Sequence, residues 1–227
     1  LADGEWITKM LEEREEDIRP CICCHNGCFN FCSYKGHANV QDLSDSMGLA
    51  RCALNPETMQ SKKYHLTPAR RPKTVAIIGG GIGGMETALV CAKRGHKVTL
   101  YEKSEQLGGV FRAAAAPSFK EKDRALIAWY QREIRKYPIE VKRNAEVSDL
   151  SSVTADDIVV ATGAKPISLP LPGIEKGIQA VDFLLGNREV GENVTIIGGG
   201  LTGCEIAYEL YLQGKKPTIV EMKDDLI

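Results

Sequence analysis

A chain of 227 residues that is 43% hydrophobic is long enough for one large domain or for two modest ones, each with a buried core. Its 29 basic residues stand against 30 acidic ones, and a net charge of -1 leaves no broad basic field for nucleic acid or an anionic lipid surface. The longest apolar stretch, Val75 to Val90, is broken by five glycines and a glutamate, whereas a bilayer span needs about 20 apolar residues, so no membrane partner is expected.

The chain opens at Leu1 without a methionine and shows no signal peptide, which reads as an internal cut. Residues 1–20 carry many charges. Six of the eight cysteines then fall between Cys21 and Cys52. Such a density suggests disulfides in a small secreted domain, but the flanking sequence argues for the cytoplasm and a metal. Cys21, Cys24 and Cys28 form a C-x2-C-x3-C run, and Cys52 follows after a gap of 23 residues. Four thiolates hold either an iron-sulfur cluster or zinc, and the spacing alone leaves both open. Cys23 and Cys32 are read as extra thiols near the site rather than ligands, and His25 and His37 as loop histidines, since four thiolates already suffice. A basic, proline-punctuated linker runs from Thr67 to Lys73.

The strongest structural signal is an internal repeat. The segment Val75 to Glu86 recurs as Val194 to Glu205, an offset of 119 positions, and Gly95, Lys97, Thr99 and Glu102 find their counterparts in Gly214, Lys216, Thr218 and Glu221 at the same offset. Each copy begins with a β-branched run, passes through glycines and helix formers, and ends in a second apolar run closed by glutamate, so each predicts a strand-helix-strand unit. Between the copies, Leu126, Trp129, Tyr130, Ile134 and Tyr137 recur at helical spacing in a charged background, which predicts an amphipathic helix. A short strand is expected over Ile139 to Lys142. Asp157 to Val160 reads as a buried strand entering a glycine turn, and Pro166, Pro170 and Pro172 mark a domain boundary.

Gly79, Gly81 and Gly84 form G-x-G-x-x-G between a predicted strand and helix, with Glu102 closing the next strand. The first glycine permits the tight turn, the second lets pyrophosphate approach the backbone, and the third lets helix and strand pack closely. The helix N-terminus then offers amides to phosphate, and Glu102 offers a carboxylate to a ribose. Gly198, Gly200, Gly203 and Glu221 repeat the arrangement, and Glu221 would repel a 2′-phosphate, which favours NADH over NADPH. Two dinucleotide units imply two nucleotides, and the economical chemistry is hydride passing from a nicotinamide to a flavin. Cys91 and Cys204 lie inside the predicted helices, where free cysteine behaves as a small apolar residue.

The run from Asp17 to Cys24 resembles the cluster motif of the family of 2-enoate reductase, 2,4-dienoyl-CoA reductase and trimethylamine dehydrogenase, and the likeness extends over nearly the whole chain. Leu1 to Trp6 resembles the end of that family's FMN-binding barrel, and the stretch Cys52 to Pro56 its last cluster ligand. The resemblance therefore implies a 4Fe-4S cluster on Cys21, Cys24, Cys28 and Cys52, although the gap before Cys52 is longer than the family usually shows. Glu102 and Lys103, Gly108 and Gly109, and Ala161, Thr162 and Gly163 resemble the family's FAD-binding signatures, and Val147 matches a backbone contact to adenine.

The expected architecture is α/β: a Rossmann-like FAD-binding domain (73–165) with an inserted, truncated NAD-binding βαβ unit (174–227), preceded by an iron-sulfur segment (21–66) and the tail of an FMN barrel domain (1–20). The resemblance implies an electron-input module in which NADH reduces FAD, and the cluster relays electrons to FMN in a barrel that lies outside this chain and reduces an activated C=C bond. The alternatives are an amine dehydrogenase of the same family, where electrons flow outward from substrate, and a non-catalytic electron-transfer or interaction subunit. A parallel sheet ending after one strand-helix-strand unit leaves an edge and face without cover, so further residues, another chain or a homo-oligomer are expected to cover it.

Overall fold

The computed structural model describes residues 1–29, 50–167 and 170–226. Cys32 and His37 lie outside the described residues. The chain divides into two compact units, one built from Leu1–Gly109 and Ala125–Thr162, the other from Val110–Arg124 and Gly163–Ile227.

In the first unit the β-branched run becomes strand β1 (Thr74–Ile78), followed by helix α3 (Ile82–Lys93) and strand β2 (Lys97–Tyr101). Helices α1 (Trp6–Leu11) and α2 (Ser61–Tyr64) precede them. Strands β3 (Ile139–Lys142) and β4 (Asp157–Val160) complete a four-stranded, all-parallel sheet in the order β3-β2-β1-β4. Parallel neighbours need a crossover, and α3 supplies the one between β1 and β2. The core forms where β1 is continuously apolar: Val75, Ala76, Ile77 and Ile78 are all buried, as are Met85, Ala88 and Leu89 of α3, which packs on β1 and β2, and Leu126, Trp129, Tyr130 and Ile134 of helix α5 (Glu121–Arg135). The helical spacing read between the repeats is thus a real apolar stripe from Leu126 to Ile134, while Tyr137, read as part of it, lies in the turn beyond the helix. Strand β4, expected to be buried, is not. Among the described residues it sits at the sheet edge, pairs only with β1 and leaves Val160 60% exposed.

The second unit repeats the first copy's opening: strand β5 (Asn193–Ile197), helix α7 (Leu201–Leu212) and strand β6 (Lys216–Val220), with β5 and β6 paired in parallel. Helices α4 (Phe111–Ala114) and α6 (Ala180–Leu184) pack on each other in this unit. The Ser118 backbone N–H and hydroxyl both donate to Glu209 on α7, and Lys120 pairs with Glu205 at 2.5 Å. Both sheet strands alternate between half-buried and exposed residues, so one face of this two-stranded sheet is open. Among the described residues no helix is long and apolar enough to cross a membrane.

Candidate functional site

The first dinucleotide loop is shaped by close backbone approaches that only glycine permits. Gly79 turns with φ 111°, and a Cβ there would lie 2.4 Å from the Ala161 carbonyl oxygen at the end of β4. A Cβ on Gly84 would lie 1.8 Å from the Gly79 carbonyl oxygen, which explains the third glycine of the motif as a helix-strand contact. Gly81 caps α3 in extended conformation, with no side-chain cap and no acidic residue in the helix's first turn. The first-turn amides therefore have no side-chain cap, as an anion site at a helix N-terminus requires.

Glu102 is buried and its carboxylate faces the loop. One oxygen accepts from the Gly80 N–H at 2.7 Å, while the other accepts from the Ser104 N–H and hydroxyl, each at 2.8 Å. The Glu102 main chain also accepts from the Ala145 N–H at 2.9 Å, which brings the segment running on to half-buried Val147 to the same end of the sheet. Gly108 donates to the Gly80 carbonyl at 2.8 Å and bridges to Gly81, and Gly109 follows directly. Ala161 donates to the Ile78 carbonyl at 2.8 Å. Gly79, Gly81, Gly84, Glu102, Gly108, Gly109 and Ala161 therefore converge at the carboxyl ends of β1, β2 and β4, where ligands of open α/β sheets bind. Thr162 follows Ala161 directly, Gly163 turns with φ 75°, and Lys103 points into solvent.

The second copy reproduces this geometry. A Cβ on Gly203 would lie 2.0 Å from the Gly198 carbonyl oxygen, Gly200 caps α7 in the same extended conformation as Gly81, and Glu221 accepts from the Gly199 N–H at 2.7 Å. The Glu221 carboxylate also accepts from the Met222 and Lys223 amides, and the bonds from Gly199 and Lys223 hold it below the usual carboxylate range. It is anionic at neutral pH, as discrimination against a 2′-phosphate requires. Cys204 donates its thiol to the Gly199 carbonyl at 3.2 Å, and burial pushes the Cys91 thiol up, away from the reactive thiolate.

The cysteine segment belongs to the same compact unit as the first loop. The backbone turns through positive φ at Cys23 (54°) and His25 (53°), and the Cys23 N–H donates to the Cys21 sulfur at 3.3 Å. Gly27 accepts from the Arg51 N–H at 2.7 Å, and a Cβ on Gly27 would lie 2.8 Å from the Arg51 carbonyl, so the residues next to Cys28 and Cys52 run side by side. Cys21, Cys24, Cys28 and Cys52 are all free thiols. Among the described residues, however, no three His, Cys, Asp or Glu side chains close into a metal-holding group. The donor set and the turned backbone fit a thiolate-ligated group; the sulfurs themselves are not drawn together.

Three groups carry roles that the sequence reading did not assign. Gly80 and Gly199, the middle glycines of each run, donate the amides that the closing glutamates accept, and their recurrence at the repeat offset was the available signal. Glu86 and Glu205 also recur, and each anchors a segment of its own unit: Glu86 takes Arg19 and the Tyr130 hydroxyl, Glu205 takes Lys120. Arg19 itself had no pattern to betray it.

Two glycine-turned strand-helix-strand units, each closed by a loop-facing glutamate, define a protein of the dinucleotide-binding oxidoreductase class. The chain belongs to the pyridine nucleotide-disulphide oxidoreductase family, whose model matches residues 48–151 and 73–227. Among curated relatives, a cinnamate reductase of Clostridium sporogenes is 42% identical over 229 residues, covering 100% of this chain and 33% of that protein. An NADH oxidase of Thermoanaerobacter brockii is 37% identical, covering 100% of this chain and 34% of its own length. The solved structure of a 2-naphthoyl-CoA reductase in complex with 2-naphthoyl-CoA superimposes with a TM-score of 0.83 at 31% identity, over 96% of this chain and 32% of that one. The resemblance to the enoate-reductase group therefore holds, and it lies in the C-terminal portion of those proteins. The chain spans about a third of the length of the curated relatives it matches.

Proposed function

We propose that this chain is the electron-input portion of an NADH-dependent flavin and iron-sulfur oxidoreductase of the enoate-reductase type, acting in the cytoplasm. The observation that carries the reading is the twice-built glycine turn with its glutamate, on one chain with a four-cysteine segment in the same compact unit as the first turn. In this reading Gly79, Gly81, Gly84, Glu102, Lys103, Gly108, Gly109, Val147, Ala161, Thr162 and Gly163 hold FAD. Gly198, Gly200, Gly203 and Glu221 hold NAD(H), and Cys21, Cys24, Cys28 and Cys52 hold a 4Fe-4S cluster.

The glycine loops bring backbone amides close to pyrophosphate, the two helix N-termini favour its charge, and the two glutamates orient the adenosine riboses while refusing a 2′-phosphate. Cysteine ligation and burial would place and tune the cluster. A bound flavin would supply the exchange of one hydride's electron pair for two single electrons of the kind a cluster carries. A barrel domain with FMN, in the same parent chain or a partner, would take those electrons and reduce a C=C bond activated by an adjacent carboxylate or thioester. The names of the cinnamate and 2-naphthoyl-CoA reductases support that substrate class.

The test is an anaerobic visible spectrum with iron, sulfide, zinc and released-flavin analysis, followed by titration with NADH. About four irons per chain, as cluster chemistry requires, and FAD bleached by NADH support the reading. Zinc without iron or flavin sinks it and leaves a metal-stabilised structural segment.

A further inference from the structure

The Arg19 guanidinium lies where three segments of the first unit meet. It donates to the Leu54 carbonyl, two residues beyond Cys52, and to the Glu86 carboxylate on α3 at 3.2 Å. Its carbon stands 4.5 Å from the centre of the Trp129 ring and 5.9 Å from that of Tyr130. Its backbone N–H donates to Asp3 at 2.7 Å, and the residue stands two positions before Cys21. The surrounding groups are themselves tied in: the Tyr130 hydroxyl donates to the same Glu86 oxygen at 3.0 Å, and the Trp129 indole to the Asp17 carbonyl at 2.9 Å. Only 12% of the Arg19 side chain is exposed. A charge so far out of water is tolerated only when paired and hydrogen-bonded, and here its partners come from different parts of the chain. Few residues other than arginine fit this place, because the planar fork bonds in two directions while its face stacks on an aromatic ring.

We propose that Arg19 is a positioning residue that clamps both cysteine arms, the one entering at Cys21 and the one leaving at Cys52, onto the first dinucleotide-binding helix. What the clamp is for rests on the electron-input reading: it keeps the cluster-binding segment at a fixed place relative to the FAD loop. The clamp itself does not depend on that reading.

Hydrogen exchange of the whole chain and its R19Q, R19K and E86Q variants tests it. In R19Q, exchange in residues 19–28 and 51–58 accelerates about tenfold, the factor expected from losing charge-assisted bonds, while β1 and β2 are unaffected. R19K keeps the charge without the fork and falls between, as does E86Q, which leaves the Trp129 stack and the bond to Leu54 in place. In the FAD- and cluster-loaded chain, R19Q leaves FAD bleaching by NADH unchanged and slows the appearance of the reduced-cluster electron paramagnetic resonance signal by a similar factor. Unchanged exchange in either arm overturns the clamp. So does acceleration spread evenly through the sheet, which would make Arg19 ordinary core packing. If R19Q does not fold, E86Q decides by the same criterion. A wild-type chain without iron or without NADH bleaching defeats the functional reading, while the exchange result still judges the clamp.

Discussion

Two adjacent glycines at the start of α3 should respond to the same substitution with opposite signs. A Cβ on Gly84 would sit 1.8 Å from the Gly79 carbonyl oxygen, a backbone atom that cannot swing aside, whereas a Cβ on Gly83 meets nothing within 4 Å. G84A must push α3 away from β1, where the helix buries Met85, Ala88 and Leu89. Overpacking of this kind costs about 1–3 kcal/mol and occasionally more, and a backbone clash places it at or above the upper end. G83A only removes glycine's excess freedom from a helical position, which stabilises by roughly 0.5–1 kcal/mol. Urea unfolding of both variants, read by Trp129 fluorescence, gives the comparison, with flavin retention measured alongside. G84A should unfold at clearly lower denaturant and lose FAD, and G83A should unfold at slightly higher denaturant and keep it. A G84A chain as stable as wild type, with flavin retained, would refute the argument that this glycine is there for helix-strand approach.

The remaining predictions use the closing glutamates, the second loop and the N-terminal anchor. E102A leaves the Gly80 amide without its acceptor and should cost about 1–3 kcal/mol, read as a lowered midpoint of thermal unfolding with weakened FAD retention. G203A, whose Cβ would lie 2.0 Å from the Gly198 carbonyl oxygen, should abolish bleaching by NADH while bound FAD stays spectroscopically intact. Burial opposes ionisation of Asp3, but the Lys9 ammonium and the Arg19 and Glu5 amides hold its pKa below the ordinary 3.8. A depressed carboxylate pKa gives stability that is fully present above the ordinary value and lost as pH falls through the lowered one. D3N should therefore destabilise the chain at neutral pH, and the gap between variant and wild-type denaturation midpoints should close on acidification below that value.

Much of the fold was legible because the chain states it twice. Strand-helix-strand units with identical glycine spacing and identical closing glutamates leave few other folds open, and both copies appear where the repeat located them. Helix α5 was legible from Leu126, Trp129, Tyr130 and Ile134, because a single buried stripe leaves a 3.6-residue period. Strand β4 misled because an apolar run reads the same at a sheet edge as in its centre, and only pairing partners tell them apart. Residues Val110–Arg124, joined to the second unit through Ser118 and Lys120, gave no sign of it, since polar contacts between distant positions leave no periodicity. Arg19 was invisible for the same reason.

The duplicated loop raises the question of which copy takes which nucleotide, since motif residues alone cannot separate them. The surroundings of the first loop bear on its own occupant. In the first copy the Ala161 carbonyl closes on Gly79, and Gly108 and Gly109 lie along Gly80 and Gly81, so the turn has backbone on two sides. A flavin dinucleotide that stays bound through turnover needs enclosure, whereas a nicotinamide dinucleotide that must leave after each hydride transfer needs an open seat, because tighter uniform binding slows release without helping chemistry. The enclosure of the first loop fits the FAD site proposed for it. In the reading proposed above, the fastening of the cysteine segment through Arg19 and Glu86 to the first copy would keep an acceptor of single electrons beside a resident cofactor, not beside one that comes and goes.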